Sequence, residues 1–366
     1  MTALLPEGLR DRLPPHAEAT ANLVATLLGT IAGHGYDRVQ PPLVEFEESL
    51  TGRVGATTRR ELLRFVDPVT QRTLALRSDI TGQVGRIAAT RLSHVPRPLR
   101  LSYAGPVLRV KGDQLTPERE RLQLGAELIG NDSVAAASEI LGLAVAALTA
   151  TGLKGISIDL TLPDIVETLA SEVLPAARID RLKALLDMKD AGAMTAEGFA
   201  DWLPLTAATG PLAAALPALR AFDHAGLLAS RLDGIAAIAQ ALGDVRLTLD
   251  PTERHGFAYQ SWIGFSIFAA GIRGEVGRGG SYRVHHETGG EAAVGFSLYV
   301  DGLVDAGLGQ VDRRRVWLPL GTPGDAAARL RAEGWTTVAA LASDDTADSC
   351  SHVWSADGIV EISRPR

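Results

Sequence analysis

Residues 97–110 (RPLRLSYAGPVLRV) and 120–129 (ERLQLGAELI) are two long extended runs joined by a polar loop at 111–118 that contains glycine and proline. A link this short suits a hairpin, because parallel strands need a crossover of a dozen or more residues. Two neighbouring antiparallel strands therefore anchor whatever sheet this chain builds. On an extended strand, residues four apart share a face. Gln123 and Glu127 thus point the same way, with Gly125 between them leaving room for a ligand.

The flanking segments set the class of fold. Leu23, Leu27, Leu28 and Ile31 recur at three-to-four spacing, which predicts an amphipathic helix over 14–34, ending near Gly33 and Gly35. TLALR at 73–77 alternates like a strand. Ser78 and Asp79, both good N-cap types, then precede an apolar-periodic helix through Leu92. Asp132 and Ser133 cap an alanine-rich helix to about Thr151, and ISIDLTL at 156–162 alternates as another strand. Residues 163–244 have mostly helical spacing, interrupted by Pro175, Pro204, Pro211 and Pro217, and read as a helical insertion. Strand signals return at 245–249, 257–269, 273–278 and 292–300. Helices segregated from runs of strands predict an α+β core over 1–315, an antiparallel sheet flanked by helices, rather than alternating βαβ units. Residues 316–366, with VWLPL, a short helix AAARLRAEG, WTTVAAL and GIVEIS, read as a small α/β tail.

Charge and cysteine content narrow the function. Lys and Arg total 36 against 43 Asp and Glu, a net charge of −7, the wrong sign for tracking a phosphate backbone, so no nucleic-acid partner is expected. The 51 residues after Arg315 hold four arginines and no lysine against seven acids, which makes a poor RNA platform. The lone Cys350 permits neither an internal disulfide nor a cysteine-rich zinc site. No run of eighteen uncharged apolar residues occurs, and the first residues carry charges and prolines where a signal peptide needs an apolar run. A cytoplasmic protein without a membrane partner is expected. His285, His286 and Glu287 cluster in a loop without the helical spacing of a zinc site, so no metal or cofactor is expected. The glycine-rich stretch at 277–283 (GRGGSYR) reads as a turn. It lacks the GK[ST] ending of a phosphate-binding loop.

Several motifs follow one another along the chain: GYDRVQPPLVE at 35–45, LRSDIT at 76–81, AGPVLR at 104–109 with RLQLGAELIG at 121–130, GRGGSYR at 277–283 and AAVGFSL at 292–298. In this order they resemble the histidyl-tRNA synthetases, a class II synthetase family. They match its dimer-forming first signature, its LRPEGT, its second-signature strand-loop-strand, its GGGRYD and the start of its third signature. The resemblance covers roughly residues 6–309 and implies the class II sheet with a histidine pocket. Carried over by position, it implies Asp79 (a Glu in the family) and Thr81 at the ammonium, Arg109 and Gln123 near the carboxylate, and Glu127 with Tyr282 at the imidazole. Tyr259 matches a family aromatic at the pocket edge. These residue types suit such a ligand, which needs an anion for its ammonium, donors for its carboxylate and a carboxylate or phenol for its ring nitrogens. Each also has a structural reading: Asp79 as a helix cap, Thr81 as a first-turn residue, Gln123 as a solvated strand residue, Glu127 and Arg109 as ion-pair partners, Tyr259 and Tyr282 as packing.

The nucleotide half of the resemblance departs from the family. Where the family has a glutamate two residues after its second-signature arginine, Arg109 is followed by Val110 and Lys111, which reverses the charge. The family's RGLDYY matches HGFAYQ at 255–260, with Arg254 or His255 at the arginine position, and the third-signature arginine aligns with Gly302. Adenylation depends on cationic stabilisation of the transferring phosphates, so these changes imply its loss and no catalytic residues in this chain. A histidine-binding core of this kind is similar to the regulatory subunits of short-form ATP phosphoribosyltransferase. That similarity implies a role in the first step of histidine biosynthesis, with histidine as feedback effector, a homodimer of this chain, and a hetero-octamer with the catalytic subunit. The alternative is a divergent histidyl-tRNA synthetase or a histidine-activating paralogue.

Overall fold

Nine strands form the sheet that carries the hairpin. In the computed structural model, which describes residues 4–51, 59–112, 117–253, 260–286 and 289–362, strands are numbered along the chain. Their order across the sheet is β1 (Asp37–Arg38), β5 (Leu99–Leu108), β6 (Glu120–Ile129), β12 (Gly289–Tyr299), β11 (Gly277–His286), β10 (Gln260–Ala269), β7 (Ile156–Thr161), β9 (Arg246–Leu249) and β8 (Gly210–Pro211). The six strands from β5 to β7 pair antiparallel, as the sequence predicts. The sheet as a whole is mixed, because β1 runs parallel to β5 and β9 parallel to β7.

Strand β6 shows how the two faces are assigned. Leu124, Ala126 and Leu128 enter a core shared with Leu23, Leu27 and Ile31 of the helix His16–Gly33 and with Ile140, Leu141 and Ala144 of the helix Val134–Ala150. The alternate residues face a second layer. There Ile129 packs with Tyr103, Tyr282, Val284 and the helix Thr81–Thr90, through Val84 and Ala88. Covering both faces buries almost the entire strand, and each leucine sealed this way contributes roughly 1.5–3 kcal/mol. Ser133 caps the second helix as predicted, its Oγ accepting from Ala136 N–H at 3.3 Å.

The glycine-rich stretch is not a turn. It lies inside the ten-residue strand β11, whose neighbours occupy the space that side chains would need. A Cβ on Gly279 would meet the Phe265 ring, and one on Gly280 the Gln260 amide. Crowding, rather than turn geometry, accounts for these glycines. His285 and His286 end the same strand instead of occupying a loop, and His286 Nε2 lies 3.0 Å from Glu291 Oε1. Glu287 lies outside the described residues.

A separate antiparallel sheet in the order β2 (Val44–Phe46), β4 (Thr73–Leu76) and β3 (Arg64–Val66) precedes the helix Thr81–Thr90. Arg77, just after β4, is buried and serves four acceptors: Pro106 O (2.8 Å), Pro41 O (3.0 Å), Pro42 O (3.4 Å) and Gln83 Oε1 (3.3 Å). Gly105 leaves room for its guanidinium, which a Cβ there would strike.

The chain divides into two compact units, Met1–Gly309 and Gln310–Arg366. The second has a four-stranded sheet in the order β14 (Thr336–Ala339), β13 (Arg315–Leu318), β15 (His352–Ser355) and β16 (Gly358–Glu361). The helix Gly324–Ala332 buries Ala327 and Leu330 against Val316 and Leu318. β15 does not stand out in the sequence, since its four residues HVWS show no clear alternation. No described helix is long and apolar enough to cross a membrane.

Candidate functional site

Register across the large sheet builds the site. Glu127 on β6 stands opposite Gly295 on β12, which stands opposite Gly280 on β11. The space over these two glycines is taken by the Glu127 carboxyl and the Gln260 amide, which thereby reach across the sheet face. Beside them opens a cavity of about 250 Å³, counted together with the solvent at its mouth, lined by Thr81, Glu127, Tyr282, Ser297, Gln260 and Arg278, with Gly279, Gly280, Gly295 and Phe296.

Glu127 is 1% exposed. It accepts from Tyr282 Oη at 2.8 Å and from Tyr103 Oη at 3.0 Å, one phenol on each carboxylate oxygen. Burial pushes its carboxyl up to about 8. The two phenols pull it down, and the charge of Asp79 pushes it further up. Tyr103 is driven well above the ordinary phenol range by its own burial and by the negative charge of Glu127. The cavity floor therefore carries a carboxyl that is mostly protonated at neutral pH, with lone pairs still open toward the ligand space.

Asp79 and Gln123 form the other end. Asp79 does act at the helix start: its Oδ1 accepts from Thr81 N–H at 2.7 Å. Its Oδ2 accepts from Gln123 Nε2 at 2.8 Å. The second Nε2 hydrogen of Gln123 goes to Ser297 Oγ at 2.7 Å, and Gln123 Oε1 accepts from Ile80 N–H at 2.9 Å. Gln123 is fully buried, and its amide has no donor left for a ligand.

Of the seven predicted residues, Thr81, Glu127 and Tyr282 line the cavity, while Asp79 and Gln123 join it through hydrogen bonds. Arg109 is half-buried one residue beyond β5. Its N–H bonds to Arg119 O at 2.8 Å, and it does not line the cavity. Its charge still acts on Arg121 and Tyr299. Tyr259, like Arg254 and His255, lies outside the described residues. Among the described residues, the guanidinium that lines the cavity is Arg278, paired with Glu275. Gly125 does not make ligand space: a Cβ there would strike the Tyr103 hydroxyl, so the missing side chain admits Tyr103.

Ser297, Tyr103 and Arg278 were not singled out from the sequence. A signal existed for two of them. Ser297 shares the face of Gly295 by two-residue alternation, and Tyr103 pairs with Gly125 once the hairpin register is set.

Comparison with known proteins extends the picture beyond the cavity. The histidyl-tRNA synthetase family profile matches residues 8–303. An ATP phosphoribosyltransferase regulatory subunit from Paramagnetospirillum magneticum is 45% identical, over 98% of this chain and 98% of that one. One from Rhodospirillum centenum is 46% identical, over 98% of this chain and 96% of that one. A Bacillus halodurans structure described as an ATP phosphoribosyltransferase regulatory subunit/histidyl-tRNA synthetase superposes with a TM-score of 0.82 at 24% identity, covering 95% of this chain and 96% of that one, which speaks to the fold.

Proposed function

The chain belongs to the family of ATP phosphoribosyltransferase regulatory subunits, built on the histidyl-tRNA synthetase fold, and from this premise we propose that its cavity binds histidine as the feedback signal. Its role is that of a regulatory subunit in histidine biosynthesis, without aminoacylation of its own. The observation that carries the histidine reading is Glu127, buried between two phenols at the floor of the cavity. A buried carboxyl with open lone pairs accepts a ring N–H, and its raised proton affinity lets one proton be shared with an imidazole.

In this reading the imidazole sits on Glu127 and Tyr282, and the α-ammonium lies toward Thr81 and Asp79. The α-carboxylate meets Arg278, with Arg109 adding positive potential from farther off. The partner is the catalytic subunit of the short-form transferase, in a hetero-octamer containing dimers of this chain. The exposed Phe65 and Val66 on β3 support self-association, since uncovered apolar side chains on an outer strand favour a partner. Histidine would favour one of two assembly conformations, a coupling of about 1 to 3 kcal/mol per site.

Calorimetry of the chain with histidine, paired with inhibition of the reconstituted complex by histidine, tests the proposal. Saturable binding and inhibition over the same concentration range are expected. Histidine-dependent exchange of pyrophosphate into ATP by this chain alone would instead point to a working synthetase.

A further inference from the structure

The hydrogen bonds around the cavity have a direction that their partners dictate. Ile80 N–H can only donate, so it fixes Gln123 Oε1 as acceptor and turns the Gln123 amide nitrogen toward Asp79 Oδ2 and Ser297 Oγ. Ser297 Oγ, already accepting, is left to donate its own hydrogen to Tyr103 Oη at 2.9 Å. Tyr103 Oη then donates to Glu127 Oε1 at 3.0 Å. Donation thus leaves the Gln123 amide nitrogen in two directions, straight to the Asp79 carboxylate at one end of the cavity and through Ser297 and Tyr103 to the Glu127 carboxyl at the other. Tyr103 and Gln123 are completely buried, and Ser297 is the member that also touches the cavity.

Taking histidine as the ligand, as proposed above, we infer that Ser297 and Tyr103 are positioning residues that couple the ammonium end of the pocket to the imidazole end. A bound ammonium makes Asp79 a weaker acceptor for Gln123, which leaves the same amide nitrogen a stronger donor to Ser297, and the change passes through Tyr103 to Glu127. From Gln123 to Glu127 the donors run head to tail, an order in which hydrogen bonds reinforce one another when water is excluded. The two ends then favour one ligand bearing both groups over two separate fragments. Gly125 is part of the device, because any side chain there would displace the Tyr103 hydroxyl from the line.

The test is calorimetric binding of histidine and of imidazolepropionate, which lacks the α-ammonium, to the full chain and to Ser297→Ala, Ser297→Thr and Tyr103→Phe. In the unaltered chain histidine binds more tightly, and the ratio of the two dissociation constants measures the advantage that the ammonium confers. Ser297→Ala and Tyr103→Phe should shrink that ratio by about tenfold, the scale of one hydrogen bond, and Ser297→Thr should restore it. A purely structural loss would weaken both ligands equally and leave the ratio unchanged. An unchanged ratio in both Ser297→Ala and Tyr103→Phe, with histidine still bound by the unaltered chain, overturns the coupling alone. If the unaltered chain binds no histidine, the functional proposal falls, and the coupling falls with it.

Discussion

The Tyr282 hydroxyl reaches Glu127 Oε2 at 2.8 Å although the two residues stand on strands that are not neighbours. Strand β12 runs between them, and Gly295 on it is the gap through which the contact is made. A Cβ at 295 would fall on Glu127 Oε2. Gly295→Ala should therefore drive Glu127 off both phenols, cost about 1–3 kcal/mol of stability and weaken histidine binding by more than tenfold. Denaturant unfolding and calorimetry measure the two effects.

Glu127 also predicts a pH dependence. Its folded value of about 8 lies above its ordinary 4.5, so the folded state holds a proton that the unfolded state has released between those limits. This contribution to stability is complete below about 4.5 and is lost as pH rises through about 8, at up to about 1.4 kcal/mol per pH unit. Glu127→Gln removes it. The variant should unfold with a flatter pH profile than the unaltered chain over that window, as read by melts without ligand.

Binding should follow the same proton. Between the imidazole value of about 6.5 and the Glu127 value of about 8, free ligand and free site together carry the one proton that the complex shares. Affinity for histidine should peak in this interval, fall below it because a proton must leave, and fall above it because one must be gained. Calorimetry across pH 5.5–9 in buffers of different ionisation heat measures it, and Glu127→Gln should lack the upper limb.

Asp79→Asn keeps the shape of the ammonium end and removes its charge. Histidine affinity should drop on the order of a hundredfold, the usual scale for losing a partly buried ion pair, and the inhibition curve of the assembled complex should move to higher histidine by the same factor. Only one of Thr81 N–H and Gln123 Nε2 keeps an amide oxygen, while the other meets the amide nitrogen, itself a donor, so the variant should also lose about 1–3 kcal/mol in denaturant unfolding.

On the helix side of the sheet, Glu139 takes Tyr36 Oη at 2.7 Å and Arg100 through both its oxygens at 2.7 and 2.8 Å. Glu139→Ala should cost about 1–2 kcal/mol in denaturant unfolding, because two donors lose a charged acceptor. Histidine affinity should stay within about twofold, since the site opens on the opposite face.

Much of this was legible in the sequence. The hairpin strands, the helices His16–Gly33 and Val134–Ala150 and the shared face of Gln123 and Glu127 follow from local pattern. Three features did not. Strand β11 looked like a turn because its glycines answer to Phe265 and Gln260, which are close in space but not in the motif. The role of Gln123 as a bridge, with both amide hydrogens committed inside the protein, depends on Ile80 and Ser297, one on a helix lead-in and one on a strand 174 residues away. Arg278, the cation among the described residues that lines the cavity, carries no signal of its own within GRGGSYR when that stretch is read as a turn.

The buried Arg77 has a mechanical consequence. A single flat cation pins the Pro41–Pro42 backbone, the Pro106 carbonyl and the Gln83 side chain at one point, like a dowel through three boards. None of the three pieces can slide without the others. Any rearrangement that carries the segment before β2 must also drag the outer hairpin strand and the helix Thr81–Thr90, whose first turn forms one wall of the cavity. A lysine in its place would bring a single ammonium with no planar fork, and that joint would turn into a swivel.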